Sequence, residues 1–226
     1  MIIAIIPARS GSKRIKNKNI KKFNGKPIIS YPIKILKKTK LFNNIFTSTD
    51  SKLISKISVK YGSEIPFLRN KSLADDKSGI IEVIKNFLQN LAKKNKIIPN
   101  YVCCVLPTAV FIKPNDILSA YRILRTSRNI DYVFSGHSID SSFYRSFKLS
   151  KMRPNMLFPK NYYKNSQDLP KKIFIDSGQF YFARTQVFLN NKKVFQKRSK
   201  VFQLSHDNVI DINTLQDWKK AEKILK

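Results

Sequence analysis

Glycine is scarce in this chain, with 6 residues in 226. Neither G-x-x-x-x-G-K-[ST] nor G-x-G-x-x-G occurs, so a Walker-type phosphate loop and the dinucleotide fingerprint, which need glycine for close backbone approach to phosphate, are excluded. Cysteine is scarcer still: Cys103 and Cys104 are the only two, adjacent within YVCCVL. Neighbours in a strand point to opposite faces, which disfavours both a bridge between them and shared metal ligation. They read as free core thiols. No window approaches the roughly 20 apolar residues of a spanning helix. The opening MIIAIIPA lacks the basic flank and the length of a secretory signal. The expectation is a soluble, cytoplasmic protein with no membrane partner.

Negative charge is also in short supply, 14 Asp+Glu against 44 Lys+Arg, a net +30. Such a balance raises the question of nucleic acid. The cations are dispersed, however, from Lys13 through Lys40, at Lys93, Lys94 and Lys96, around Lys192 to Lys200 and from Lys219 onward. No nucleic-acid-binding module accompanies them, and nucleic acid is not the expected partner. Heavy use of Lys, Asn and Ile together is what AT-rich codons would produce, so genome composition competes with electrostatics as the cause. With so few carboxylates, each invites the question of what it caps or binds. Asp50 and Asp116 stand at or near probable helix starts, where a carboxylate accepts backbone N–H bonds; for Asp50 a role in a site is the alternative.

What is present is a core's worth of apolar residues, 42% hydrophobic and 12% aromatic, arranged in an alternating rhythm. MIIAIIPA is a continuous apolar run suited to a strand covered on both faces. A helix from Pro27 to about residue 40, a strand at NIFTSTD, a helix over 51–61, a short strand at EIPFL, a helix over 79–94, a strand at YVCCVL, a helix over 114–127 and a strand at DYVFSG follow. Strands alternating with helices predict βαβ crossovers and a doubly wound, largely parallel sheet, the α/β class, in a single domain over 1–226. The rhythm breaks over about 141–182, which reads as a small β-rich inserted lobe. KVFQLS and NVIDI resume as strands, and a helix containing Trp218 starts at Thr214.

In an open α/β sheet ligands bind at the carboxyl ends of strands, so the loop after the first strand is the first place to look for chemistry. Arg9-Ser10-Gly11-Ser12-Lys13-Arg14 supplies backbone N–H groups, two hydroxyls and three cations, with Lys16, Lys18 and Asn19 within reach. A polyphosphate matches that inventory of donors.

IPARSGSKRIKNKNI, with FNGKPIISYPI after it, resembles the opening signature of the cytidylyltransferases that activate nine-carbon acidic sugars, enzymes of Rossmann-like nucleotidyltransferase fold. STD at Ser48 to Asp50, FLRNKSLADD around Arg69, VCCVLPTAVFIKPND, SQDL at Ser166 to Leu169, DSGQFYF at Asp176 to Phe182 and VIDINTLQDW follow in order. The VCC, SQDL and GQFY segments are most similar to the pseudaminic acid branch. The resemblance implies that CTP and a 2-keto nonulosonic acid give the CMP-sugar and pyrophosphate, the anomeric hydroxyl attacking the α-phosphorus. Sialic, legionaminic and Kdo acids are the alternative acceptors. It implies catalytic roles for Arg9, Lys18 and Asp211. Arg9, Ser10, Gly11, Ser12, Lys13, Lys18 and Asn19 would surround the nucleotide, with Arg69 and Asp76 on its cytosine and ribose side. Thr108, Gln167, Asp176 and Gln179 are the implied sugar contacts.

The family typically presents Asp-x-Asp to Mg²⁺, and here Asp211 and Asn213 occupy those places, which implies a Mg²⁺ requirement with weaker affinity. A homodimer formed through the 141–182 lobe is likewise implied. The chain departs from the family pattern at Ser10, where a second glycine is usual, and at Val110, Asn165 and Ile175. The last three touch the sugar half. Neither His137 nor His206 falls on a family motif, and no general base stands out.

Overall fold

The computed structural model describes residues 1–75, 78–204 and 209–225. Along the chain, β1 (Ile2–Pro7) leads through a short 3-10 turn (Lys18–Ile20) to a small ribbon of β2 (Lys22–Phe23) and β3 (Lys26–Pro27), then α1 (Ser30–Thr39), β4 (Asn44–Ser48) and α2 (Lys52–Lys60). Next come α3 (Ile80–Asn95), β5 (Tyr101–Val105), α4 (Pro114–Thr126) and β6 (Tyr132–Ile139). The lobe carries β7 (Phe147–Ser150) and β8 (Arg153–Met156), and the chain returns through β9 (Ile173–Arg184), α5 (Thr185–Leu189), β10 (Ser199–Gln203) and α6 (Leu215–Ile224).

Six strands form one sheet in the order β10-β6-β9-β5-β1-β4. β1 pairs parallel with β4 and β5, and β10 parallel with β6, while β9 runs antiparallel between β5 and β6. One hydrophobic cluster fills the face under α1, α2, α4 and α6, with Leu36, Ile54, Ile117 and Trp218 among its members; the other, with Phe87, Leu91 and Phe188, fills the face under α3 and α5. Helices on both faces of a mostly parallel sheet make the expected doubly wound α/β architecture. Cys103 and Cys104 fall into opposite clusters, each buried and free, and burial drives both thiols up. Among the described residues no helix is long and apolar enough to cross a membrane.

The helix expected from Pro27 begins at Ser30, which places Pro32 in its first turn, where a missing N–H leaves no intrahelical bond unmade. Asp116 closes a capping box, accepting from Lys113 N at 2.7 Å. Asp50 is not a cap: Ser51 caps α2, its Oγ accepting from Ile54 N. EIPFL is not a strand either; a single bridge joins Glu64 to Phe46, and the chain then turns away toward Arg69. Residues 209–213 likewise form no strand. The irregular region ends earlier than the sequence rhythm suggests, because β9 is a central strand of the sheet and takes DSGQFYF with it. The lobe proper is the stretch of 3-10 turns and the β7–β8 hairpin over 140–172.

Candidate active site

A cleft of about 300 Å³ opens at the carboxyl ends of β1 and β5. Its floor and walls come from five separate places in the chain: the loop after β1, Arg69, the start of α3 with Ser78, the Leu106-Pro107-Thr108 turn after β5, and the Asp211 to Asn213 segment before α6. The sheet topology delivers the β1 and β5 segments to one edge, where the carboxyl ends of parallel strands meet.

The loop after β1 is held at both ends by main-chain contacts. Ala8 N donates to Ser48 O at 2.9 Å, and Asn19 Nδ2 donates to Arg9 O at 2.9 Å, folding the loop back on its own start. Asn17 adopts a left-handed conformation (φ 54°) that asparagine tolerates better than most residues, and the 3-10 turn after it carries Lys18 into the cleft. Lys18 Nζ donates to Ile212 O at 2.9 Å. Desolvation holds the Lys18 ammonium below the usual lysine range; Asp211 opposes the shift, whereas Arg14 and Arg9 add to it. Arg9, Ser12 and Lys13 line the cleft beside it.

Arg69 is 9% exposed, and its guanidinium donates to Ser48 through Nε to Oγ at 3.1 Å and through Nη2 to the carbonyl. Its main-chain N–H donates to Thr49 O at 2.7 Å. Burial pushes its pKa down to about 10 while Asp50 pulls the other way, so the group stays cationic at neutral pH. On the opposite wall Arg14 Nη2 donates to Asn213 Oδ1 at 2.8 Å, and Asn213 Nδ2 donates to Asp211 Oδ2 at 2.6 Å. The Asp211 carboxylate packs against Gly178, where an added Cβ would lie 3.2 Å from Asp211 Cγ.

Arg9, Ser12, Lys13, Lys18, Asn19, Arg69, Thr108, Asp211 and Asn213 thus meet in one cleft. Ser10 and Gly11 are not among its lining residues, although both their flanks are. Asp176 and Gln179 stand on β9, one layer behind the cleft. Asp176 accepts from Gly178 N and from Tyr181 Oη at 2.6 Å, and Gln179 O accepts from Leu106 N at 2.9 Å. The Gln179 side chain is fully buried, and its Oε1 has no hydrogen-bond partner among the described residues. Gln167 is exposed, in a 3-10 turn of the lobe, and does not line the cleft. Asp76 and His206 lie outside the described residues. His137 sits on β6, its imidazole held below the usual histidine range by burial and lined up with no cleft residue.

The sequence left Arg14 as one donor among many, and only the fold, which brings residues 199 positions apart into contact, pairs it with Asn213. The apolar lining from Ile15, Ile80 and Val83 was likewise hidden, because those side chains read as ordinary helix or loop hydrophobics. Asp211 and Asn213 offer the cleft's oxygen ligands for a cation: among the described residues no group of three or more His, Cys, Asp or Glu converges anywhere. A carboxylate beside the cationic loop after β1 fits Mg²⁺, which is commonly held by one or two carboxylates and substrate phosphates.

The profile of the cytidylyltransferase family matches residues 3–225. Pseudaminic acid cytidylyltransferase of Campylobacter jejuni is 35% identical over 225 residues, covering 99% of this chain and 96% of the relative. The CMP-N,N'-diacetyllegionaminic acid synthase of Legionella pneumophila is 31% identical, covering 100% of this chain and 96% of its own. Among solved structures, a CMP:2-keto-3-deoxy-manno-octonic acid synthetase complexed with CTP superposes with a TM-score of 0.75 at 14% identity, over 99% of this chain and 98% of that one, a likeness of fold.

Proposed function

The chain belongs to the cytidylyltransferase family, and on that premise we propose that it condenses CTP with pseudaminic acid, a nine-carbon 2-keto acidic sugar, releasing pyrophosphate and CMP-pseudaminate. One observation carries the reading: Arg9, Lys13, Lys18 and Arg69, encoded far apart or on a tight loop, converge with Asp211, the one carboxylate among the cleft's described lining residues, at the strands' carboxyl ends. A cytoplasmic site of action goes with this reading.

The Lys18 ammonium is poorly solvated and, among the described residues, donates to a main-chain carbonyl, so a charged phosphate oxygen beside it is a stronger acceptor than that carbonyl. Lys18 lies on the α-phosphate side, with Arg9, Ser12 and Lys13 around the outer phosphates, and Arg69 beside the cytosine and ribose. As the sugar's anomeric hydroxyl attacks the α-phosphorus and pyrophosphate departs, these cations hold the reactants in line and neutralise charge on the leaving group. Mg²⁺, bound through Asp211 and phosphate oxygens, would add Lewis-acid charge neutralisation at the same place. Asn213 orients Asp211 and Arg14, with its carbonyl oxygen engaged by Arg14. Thr108 lines the cleft on the acceptor side, while Gln179, buried on β9, and Asp176, which fixes the Gly178 turn against Asp211, support that wall from behind.

The acceptor side is completed by a second copy. Phe147 (57% exposed), Met152 (83%) and Tyr163 (92%) leave the lobe with apolar surface that one chain does not cover, and a homodimer formed through the lobe buries it. A panel of pseudaminic, legionaminic, sialic and Kdo acids offered with CTP and Mg²⁺, read by pyrophosphate release and product mass, tests the function. Pseudaminate is expected to turn over best. The 31% identical Legionella relative makes legionaminate the second reading. Failure of every acid to yield a CMP-sugar would overturn both.

A further inference from the structure

Ser10, in the loop after β1, spends its side chain on Asp50, just beyond the end of β4. Its N–H donates to Asp50 Oδ1 at 2.9 Å and its hydroxyl donates to Asp50 Oδ2, so a single carboxylate grips a single residue twice. The flanking Arg9 and Ser12 line the cleft, whereas Ser10 does not. Asp50 has no competing structural duty as a cap, because Ser51 caps α2. We propose that Asp50 is a positioning residue for the phosphate loop, acting through Ser10; this rests on the reading of the cleft as a CTP site.

The neighbouring residues support the same assignment. Ser48 O accepts from Ala8 N and Ser48 also takes the Arg69 guanidinium, while Thr49 O accepts from Arg69 N. Ser48, Thr49 and Asp50 therefore fasten two cationic pieces, the loop after β1 and Arg69, to one strand end. A loop held before the ligand arrives has less ordering entropy to lose when it binds. A carboxylate next to a triphosphate would by itself repel the ligand. Here both oxygens are engaged by Ser10 and the facing charge is Arg69, which leaves geometry as the contribution of Asp50.

Calorimetric titration of CTP into the wild type, Asp50→Ala, Asp50→Asn and Ser10→Ala, with steady-state kinetics on each, tests the assignment. Asp50→Ala loses both contacts, and its CTP Kd and KM are expected to rise about tenfold with kcat changed less than about threefold. Asp50→Asn, which still accepts from the N–H and reaches the hydroxyl, stays within about threefold of wild type. Ser10→Ala keeps the main-chain bond and loses the hydroxyl, for a rise of about two- to fourfold. If Asp50→Ala fails to fold, Ser10→Ala decides, and wild-type affinity in that variant overturns the assignment. It is also overturned if Asp50→Ala and Asp50→Asn both bind CTP more tightly, which marks a charge effect, or if kcat falls at unchanged KM, which marks a part in the chemistry. Absence of CTP binding by the wild type would instead sink the function proposed above.

Discussion

The cleft and the 140–172 lobe are built differently. In the cleft, Lys18 and Arg69 each hydrogen-bond a main-chain carbonyl of a distant segment, Asn19 ties the loop after β1 to its own start, and the strands beneath them are buried on both faces. Over 140–172 the chain makes short turns and one hairpin whose four-residue strands are almost wholly exposed, with Phe147, Leu149, Met152 and Tyr163 facing outward. The first arrangement fixes donors before a ligand arrives. The second leaves apolar surface in want of a partner.

The largest effect that tests this contrast is at Lys18. On the proposed reading Lys18→Ala removes the cation on the α-phosphate side, and it is expected to lower kcat/KM by about 10²- to 10³-fold with the fold intact by circular dichroism. Because burial holds the Lys18 pKa below that of an ordinary lysine, CTP affinity should fall on the alkaline side earlier than a solvated lysine would dictate, and Lys18→Arg should remove that limb. The sign for stability is opposite: between the folded and unfolded pKa values the folded chain holds fewer protons, so the free protein gains stability as pH rises through that window. A pH profile identical in wild type and Lys18→Arg would break the assignment of Lys18 to the phosphate.

Next in size is the lobe. Asp placed at Phe147 and Tyr163, both exposed in the single chain, should cost the fold little, within about 0.5 kcal/mol each. In a dimer the same charges would be buried unpaired. The double variant is expected to be monomeric by light scattering, with the sugar KM raised about tenfold and CTP binding unchanged. A monomeric variant with wild-type sugar kinetics would erase the distinction between the two regions.

That distinction also governs how much the sequence revealed. The convergence on the cleft was legible because a continuous apolar run followed at once by a Ser-Gly turn and clustered cations has few structural explanations, and because the βαβ rhythm puts each strand's carboxyl end at one edge. Asp50 reads equally as a helix cap or a site residue, since position next to a helix start is visible in the sequence and a contact forty residues back to Ser10 is not. EIPFL has strand composition but keeps one bridge to β4 before turning away, and residues 209–212 pair with no strand among the described residues; pairing is a tertiary property that overrides propensity. DSGQFYF was taken into the lobe for the converse reason. Its polar first half hid a central strand that begins irregularly, with Gly178 in a left-handed conformation, and becomes buried only from Ser177 onward.

The smallest effect concerns Asn213, on the cleft wall beside Asp211. Its amide nitrogen donates to Asp211 and its oxygen accepts from Arg14, so the side chain is fully used in the free protein. Asn213→Asp keeps an acceptor for Arg14 but replaces the donor with a second carboxylate oxygen against Asp211. Two like charges at that separation disfavour each other, and a divalent cation between them relieves the repulsion. Calorimetry should therefore show Mg²⁺ binding in the presence of CTP tightened by about three- to tenfold. No tightening would mean that Arg14 neutralises the added charge, leaving Asp211 as the sole protein ligand whichever residue stands at 213.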